Sequence, residues 1–172
     1  MAFKEYMIKK ERTAADILIS FGCYFAAVLI GLAVMIFMLP YNLGGVAMLL
    51  FAGAIYGAHI ISSRRRKEFE YIMTEDNIDI DVVMNKERRK RLISFSMKET
   101  EIIAPMDSTE FADRKNGSFA KTVNALSGRK EADTYFAVVE KKGERILVLF
   151  EPTYNMLTSL GQYARSKIHI KD

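Results

Sequence analysis

Residues 17–63 read ILISFGCYFAAVLIGLAVMIFMLPYNLGGVAMLLFAGAIYGAHIISS and contain no Asp, Glu, Lys or Arg. Pro40-Tyr41-Asn42 divides these 47 residues into two apolar segments, 17–39 and 43–61. As α-helices they would be about 34 Å and about 28 Å long, and the hydrocarbon core of a bilayer is about 30 Å thick. The sequence therefore predicts two transmembrane helices within residues 14–63, joined by a tight turn.

Basic residues flank this hairpin on both sides, whereas its turn has none. They are Lys4, Lys9, Lys10 and Arg12 before the first segment, and Arg64, Arg65, Arg66 and Lys67 after the second. Because cytoplasmic flanks of membrane helices are rich in Lys and Arg, we predict a two-span protein of the cell membrane with both termini in the cytoplasm. A cleaved signal peptide is the alternative, but the first segment is too long and no small-x-small cleavage site follows Leu39.

Small residues recur at four-residue spacing on both predicted helices, and Gly53 and Gly57 form a Gly-x-x-x-Gly pair on the second. Such residues let two helix backbones approach closely. We expect Gly53 and Gly57 to pack against the first helix of the same chain. The alternative is self-association of two copies through this pair. His59 is expected to point away from the packing face and to be neutral near the lipid headgroups.

The N-terminal residues 1–13 carry apolar residues at helical spacing, Phe3, Tyr6 and Met7, beside several lysines. This pattern predicts a short amphipathic helix that lies in the membrane interface. Thr13-Ala-Ala-Asp16 then predicts the capped start of the first transmembrane helix, because both side chains can bind free amides of the first turn.

Residues 68–172 are numerous enough for one small globular domain. They carry 17 basic and 18 acidic residues, whereas residues 1–67 carry 8 and 3. The basic excess of the whole chain therefore belongs to the membrane flanks. A nearly neutral domain gives no reason to expect a nucleic acid partner.

The domain itself shows short runs of alternating apolar and polar residues, which predict antiparallel strands. The predicted strands cover residues 69–73, 78–82, 92–97, 109–112, 119–125, 135–139 and 145–150. The long apolar runs of the last two predict strands that are buried on both sides or central in a sheet. Residues 98–103 are expected to form one helical turn. A C-terminal helix is predicted at about residues 153–168, whose apolar stripe would cap the strands and consists of Leu157, Leu160, Ala164 and Ile168.

This order of strands, basic turn, terminal hairpin and amphipathic helix resembles the bacterial pleckstrin-homology-like (PH-like) domains that follow two membrane helices. The motifs that carry the resemblance are Lys9-Lys10, Phe69-Glu-Tyr-Ile72, Ile78-Asp-Ile80, Arg88-Arg-Lys-Arg-Leu92 and Phe150-Glu-Pro-Thr-Tyr-Asn-Met-Leu157. They are similar to a family of small two-span membrane proteins of Gram-positive bacteria, over nearly the whole chain. The resemblance implies an α+β membrane protein, with a transmembrane hairpin before a small antiparallel β-barrel or sandwich capped by a helix. It implies no particular activity and no phosphoinositide binding.

Catalytic and metal-binding signatures are missing from the sequence. His59 and His169 are far apart, and the single cysteine, Cys23, falls within the first span, so no histidine or thiolate metal site and no disulfide is expected. The acidic residues near Asp79 lack the glycine and the final glutamate of a calcium loop. We therefore expect neither an enzyme nor a cofactor.

The sequence instead favours a membrane-anchored, non-catalytic PH-like module that binds a protein partner or anionic lipid at the cytoplasmic face. The alternative is a structural or regulatory subunit of a larger membrane complex, assembled through the transmembrane hairpin. The candidate lipid contacts lie in the basic turn and are Lys86, Arg88, Arg89, Lys90 and Arg91. Their alternation along the chain predicts that these charges are divided between two faces.

Overall fold

The computed structural model describes residues 3–171 and divides the chain into two compact units. One unit is helical and covers Arg12–Lys67. The other joins the N-terminal segment up to Glu11 with the chain from Glu68 onward. The N-terminal segment therefore belongs to the same unit as the domain that follows the helices.

The helical unit consists of α1 (Ala14–Met38) and α2 (Gly44–Ser63), joined by a 3-10 turn at Leu39–Tyr41. Thr13 and Asp16 form the predicted capping box at the start of α1. Asn42 has a φ of 54°, which lets the chain reverse within a few residues. Both helices are long and apolar enough to cross a membrane, and only 11 % of the most apolar 18 residues of each is buried within the protein.

The contact between α1 and α2 centres on Gly31, which faces the ring of Phe51. A methyl group added to Gly31 would lie 1.9 Å from a carbon of that ring. A methyl group added to Gly53 or Gly57 would meet no atom of the described chain within 4 Å. The prediction that Gly53 and Gly57 pack against α1 is therefore wrong, because Gly53 follows Phe51 by two residues and lies about 200° around the helix from it.

His59 lies on the side of α2 that faces α1, and so the prediction that it points away from the packing face is also wrong. Its Nδ1 hydrogen-bonds with the hydroxyl of Tyr24 on α1 over 3.2 Å, and its Nε2 with the hydroxyl of Ser63 over 3.3 Å. The expectation failed because it took Gly57 as the centre of the packing face, whereas a methyl group added to Gly57 would meet no atom of the described chain within 4 Å.

The described residues of the other unit form eight strands and two α-helices. In chain order they are β1 (Phe3–Lys9), β2 (Lys67–Thr74), β3 (Asn77–Met84), β4 (Arg88–Ser96), β5 (Thr100–Pro105), α3 (Thr109–Arg114), β6 (Lys121–Asn124), β7 (Tyr135–Lys141), β8 (Glu144–Phe150) and α4 (Tyr154–Ala164). The strands form two four-stranded sheets, ordered β1-β2-β3-β4 and β5-β7-β8-β6. The predicted sandwich is confirmed, and it is open rather than closed into a barrel.

The main core of this unit lies between the two sheets and under α4. Tyr71, Phe95 and Phe150 from the sheets meet Leu157 and Leu160 of α4 there, and all five are almost fully buried. The prediction of a capping C-terminal helix is confirmed, although the α-helix ends at Ala164 and a 3-10 turn covers Arg165–Lys167. Thr153 caps its start, since its hydroxyl accepts a hydrogen bond from the amide of Met156.

A second, smaller core covers the outer face of the second sheet, where Phe111 and Phe119 pack on Phe136 and Val138. Both faces of β7 are therefore buried, as the apolar run of residues 135–139 predicted. The same two-sided burial explains why the helical turn predicted at residues 98–103 is wrong. Ile103 faces the main core and Ile102 the second one, so consecutive apolar residues here form a strand.

Two further elements differ from the sequence-based prediction. Residues 109–112 belong to α3 rather than to a strand, because Ser108 caps the helix by accepting a hydrogen bond from the amide of Phe111. β6 runs parallel to β8, whereas the described pairings β1–β2, β3–β4, β5–β7 and β7–β8 are all antiparallel. The long connection through α3 brings the chain back to the same end of the sheet before β6 begins.

β1 replaces the interfacial helix that was predicted within residues 1–13. It pairs antiparallel with β2, from Phe3 opposite Thr74 to Lys9 opposite Glu68. Ile8 is only 2 % exposed and joins the main core, with Tyr6 packed against it. The helical prediction was wrong because this segment packs as a strand, in which alternate residues, rather than every third or fourth, face the same side. Its partner β2 becomes adjacent to it only in the folded sheet. Residues 1 and 2 lie outside the described range.

Candidate functional site

The basic segment proposed as a lipid contact lies mostly in a strand and not in a turn. β4 begins at Arg88, and the hairpin tip is formed by residues 85–87, with Asn85 and Lys86 at positive φ. The earlier prediction of a turn up to Arg91 was wrong because Arg88–Arg91 pair with β3. Strand alternation then puts Arg89 and Arg91 on the opposite face from Arg88 and Lys90.

Arg89 and Arg91 are neutralised by carboxylates on the outer face of the first sheet. Arg89 donates a hydrogen bond of 2.9 Å to Glu70. Arg91 donates through Nε to Asp81 over 2.6 Å and lies 2.7 Å from Asp79 through Nη1. The hydrogen bond to Asp81 raises the pKa of the Arg91 guanidinium. These two arginines therefore hold the sheet together and are poorly placed to attract an anionic ligand.

Lys86, Arg88 and Lys90 are exposed, and none has an ion-pair partner among residues 3–171. Of the basic residues that follow α2, Arg65 pairs with Asp16 over 3.1 Å. Arg64, Arg66 and Lys67 are exposed. The cations that remain available to a ligand are thus fewer than the sequence suggested.

A second candidate site was not predicted: a groove of about 680 Å³ in the sheet unit, here called the Glu151 groove. Its lining comes from β1 and the residues after it, the loop before β7, and the connection between β8 and α4. The lining residues are Tyr6, Glu11, Arg129, Lys130, Glu131, Ala132, Asp133, Glu151, Pro152, Thr153 and Tyr154. Four carboxylates and two cations leave this lining with two net negative charges.

Glu151 is the one lining carboxylate that is held inside the protein, with 4 % of its surface exposed. Its Oε1 accepts hydrogen bonds from the amide and the hydroxyl of Ser127, at 2.7 Å and 2.9 Å. Its Oε2 is buried and accepts no hydrogen bond from any residue that the structure describes. The nearest cation to Oε2 is Arg129, whose Nη2 is 3.8 Å away, beyond hydrogen-bonding distance.

Three segments position this carboxylate. Phe150 fixes the end of β8 in the main core, and Thr153 starts α4 two residues after Glu151. The amide of Glu151 donates to the hydroxyl of Tyr71, which donates to the carbonyl of Ala125 over 2.7 Å. Burial raises the pKa of Tyr71 well above its ordinary value, so that its hydroxyl stays protonated as a donor. Glu151 is therefore held on a rigid support.

Sequence reasoning missed this groove, although Glu151 lies in one of the motifs that carry the family resemblance. A glutamate between a buried strand and a Pro-Thr helix start is a weak signal by itself. Its partners Ser127 and Tyr71 are 24 and 80 residues away in the chain. Only folding brings these three residues together.

Within residues 3–171, no three His, Cys, Asp or Glu side chains are grouped so that they could hold a metal ion. The Glu151 groove can instead offer a buried hydrogen-bond acceptor and a negative field to an organic cation.

The chain was compared with protein families, curated proteins and solved structures. The family model described as bacterial PH-like domain (DUF6106) matches residues 2–170, nearly the whole chain. No curated protein and no solved structure matches the sequence.

Proposed function

This chain belongs to the bacterial PH-like domain family, and from that premise we propose that it is a membrane-anchored, non-catalytic module that binds a protein partner at the cytoplasmic face. The observation that carries the proposal is the pairing of β1 with β2. β1 ends before α1 and β2 begins after α2, yet Lys9 lies opposite Glu68 in one sheet. Both ends of the helical hairpin are therefore fixed in the same folded domain.

This pairing supports a two-span arrangement. If α1 and α2 cross the bilayer, the residues before α1 and after α2 must be on one side, because they share a sheet. Apolar side chains cover most of the exposed surface of both helices, which a bilayer would remove from water. The basic residues on both flanks support the proposal that the shared side is the cytoplasm.

The charges of the sheet unit favour a protein partner over anionic lipid as its main ligand. Glu70, Asp79 and Asp81 neutralise two of the five basic residues that were candidates for lipid contact. The Glu151 groove has two net negative charges and a buried acceptor, so it would repel a lipid phosphate. Donors and cations of a polypeptide match this surface.

A specific observation also favours the alternative, a subunit assembled through its helices. A methyl group added to Gly53 or Gly57 on α2 would meet no atom of the described chain within 4 Å, so both positions have open space beside them. A helix of another protein could approach there closely. The two functions place the contact on different units, and a single experiment separates them.

The experiment is affinity isolation of the full chain from native membranes, in three forms. The forms are the wild type, a helix-face variant with Gly53→Leu and Gly57→Leu, and a tip variant with Lys86→Glu, Arg88→Glu and Lys90→Glu. We expect a partner protein to be recovered in stoichiometric amount with the wild type and with the helix-face variant. Loss of the partner from the helix-face variant would establish assembly through the hairpin and contradict the module. Recovery of no partner with the wild type would also contradict it.

A further inference from the structure

We propose that the Glu151 groove binds an arginine side chain of the partner polypeptide, and that Arg129 lies beside the acceptor oxygen, without bonding to it, until that side chain displaces it. This inference rests on the proposed function, since it names the chemistry by which the module holds its partner. The ligand group is a guanidinium, which is planar, always charged and able to donate two parallel hydrogen bonds to one carboxylate.

The unfilled oxygen of Glu151 is the first reason. Oε1 already accepts two hydrogen bonds from Ser127, whereas Oε2 accepts none from the described chain. A buried carboxylate oxygen without a donor is unfavourable, and a donor supplied by a ligand removes that penalty. Oε2 of Glu151 is therefore a buried acceptor of fixed direction that receives no hydrogen bond from the described chain.

The position of Arg129 is the second reason. Its Nε donates to the hydroxyl of Ser127 over 3.3 Å, while its Nη2 remains 3.8 Å from Oε2. About half of this side chain is exposed, and Gly128 before it has a φ of +86° that other residues rarely adopt. Arg129 thus partly neutralises Glu151 without bonding to it, and an incoming guanidinium can displace it towards solvent.

The walls of the groove are the third reason. Tyr6 and Tyr154 line it, and Tyr154 is 68 % exposed. Aromatic faces attract guanidinium groups and also cover their apolar surfaces. Glu11, Glu131 and Asp133 add negative charge around the opening, so that a cation approaches in a favourable field.

The opposite reading is an anion site made by Arg129, Lys130 and the start of α4 at Thr153, all of which line the groove. Helix starts bind phosphate well. Here, however, the four carboxylates of the same lining outnumber the two cations, and Glu151 lies beside the guanidinium that the anion would need. An anion would therefore meet repulsion, and inorganic phosphate serves as the opposing probe in the test.

The test measures binding of N-acetyl-arginine amide to the full-length protein in nanodiscs of zwitterionic lipid. The readouts are the NMR signals of the Ser127 and Glu151 amides. The matched control ligand is N-acetyl-citrulline amide, which has nearly the same shape and no charge. We expect the arginine probe to shift both amides in a saturable way and the citrulline probe to bind about tenfold more weakly, as the loss of a charge-assisted hydrogen bond requires.

Three variants sharpen the test. Glu151→Gln is expected to weaken binding of the arginine probe about tenfold, and Glu144→Gln, the same change on the exposed hairpin between β7 and β8, is expected to leave it unchanged. Arg129→Gln removes the internal competitor and is expected to strengthen binding severalfold. If Glu151→Gln fails to fold, the Arg129→Gln variant and the citrulline control still decide whether the Glu151 groove binds a guanidinium group.

The proposal is overturned by equal binding of the two amide probes, by weaker arginine binding in Arg129→Gln, or by phosphate shifting these amides while arginine does not. Failure of this proposal is separable from failure of the proposed function. If the arginine probe fails while a partner is still recovered from native membranes, the module stands and its contact lies elsewhere on the sheet unit.

Discussion

Glu70 and Glu151 are buried carboxylates that each keep one oxygen without a hydrogen bond from the described chain. Their surroundings differ. Glu151 is held by donors from Ser127, whereas Glu70 lies on the outer face of the first sheet close to Glu5 and Asp81. Burial raises the pKa of Glu70, the neighbouring carboxylates raise it further, and only Arg89 opposes the shift. Charge on Glu70 is therefore unfavourable in the folded state.

The first prediction concerns the pH dependence that follows from Glu70. A carboxyl whose folded-state pKa is above its ordinary value of 4.5 stabilises the fold fully below that value, and this stabilisation is lost as the pH rises through the folded-state pKa. Glu70→Gln removes the titration and keeps an acceptor for Arg89. We expect the melting temperature of the wild type to fall relative to that of Glu70→Gln as the pH rises from about 4.5 to about 7.5. A difference in melting temperature between the two proteins that stays the same across this pH range would contradict this. Glu87→Gln at the exposed tip is the control.

The second prediction concerns anionic lipid at the hairpin tip. Lys86, Arg88 and Lys90 lack ion-pair partners among the described residues, and each would gain about 1 kcal/mol near an anionic leaflet. A fluorophore at Glu87→Cys, in a Cys23→Ser background, is expected to be quenched by headgroup-labelled lipid in anionic nanodiscs at low salt. Quenching should fall at about 0.5 M salt and when the three cations are changed to Glu. Arg89→Gln with Arg91→Gln is the comparison. Equal quenching in zwitterionic nanodiscs would contradict an electrostatic contact, and no quenching in anionic nanodiscs would show that the tip contacts only solvent.

Among the elements, α4 provides the largest part of the main core that does not come from a sheet. Met156, Leu157 and Leu160 are almost fully buried, and a helix of this length is marginal by itself in water. α4 also forms one side of the Glu151 groove through Thr153 and Tyr154. Its packing therefore positions the candidate site as well as closing the sandwich.

The third prediction tests this role of α4. Leu160→Asp buries a charge at a fully buried position and is expected to cost several kcal/mol, against a total stability of about 5 to 15 kcal/mol. The sheet unit should then lose its cooperative thermal transition. Gln162→Asp, an exposed position on the same helix, should change the melting temperature little. An unchanged transition in Leu160→Asp would mean that α4 is not part of the core.

The fourth prediction concerns the helix pair. Gly31→Leu places a side chain in the space that the ring of Phe51 fills. Because overpacking of a helix contact is destabilising, we expect this change to separate α1 from α2. Gly53→Leu has open space and is expected to leave the pair intact. Cross-linking between cysteines at Ala27 and Ala54, in a Cys23→Ser background, measures the contact. Equal cross-linking of both glycine variants would contradict this assignment.

In the whole molecule, the helical hairpin comes between β1 and β2 in the order of the chain, and these two strands are neighbours in one sheet. A fragment that begins at residue 68 would lack β1 and the buried side chain of Ile8. Experiments on the sheet unit should therefore keep residues 3–9. If the hairpin spans the membrane, the side on which its two ends lie is therefore also the side on which the sheet unit lies.

The fifth prediction is that orientation. Cysteine at Asn42, in the turn between the helices, is expected to react with a membrane-impermeant maleimide in intact cells. Cysteine at Ser166, which is exposed after α4, should react only after the cells are opened. Both variants carry Cys23→Ser. The reverse labelling pattern would contradict the charge asymmetry on which the orientation depends.

Local patterns in the sequence were sufficient to predict the two long apolar helices, the capping box at Thr13, the strands from β2 to β4, the two-sided burial of β7 and the capping helix. These features depend on the periodicity of apolar residues and on local caps, which are properties of neighbouring positions in the chain.

The tertiary structure alone decided features that depend on partners far away in sequence. β1 is a strand because β2, some sixty residues later, provides its hydrogen bonds and buries Ile8. Arg89 and Arg91 are neutralised because strand pairing sets them beside carboxylates of β2 and β3. Glu151 becomes a buried acceptor only when Ser127 and Tyr71 meet it in the folded domain. Burial, ion pairing and desolvation are sums over spatial neighbours, and a linear pattern does not contain those neighbours.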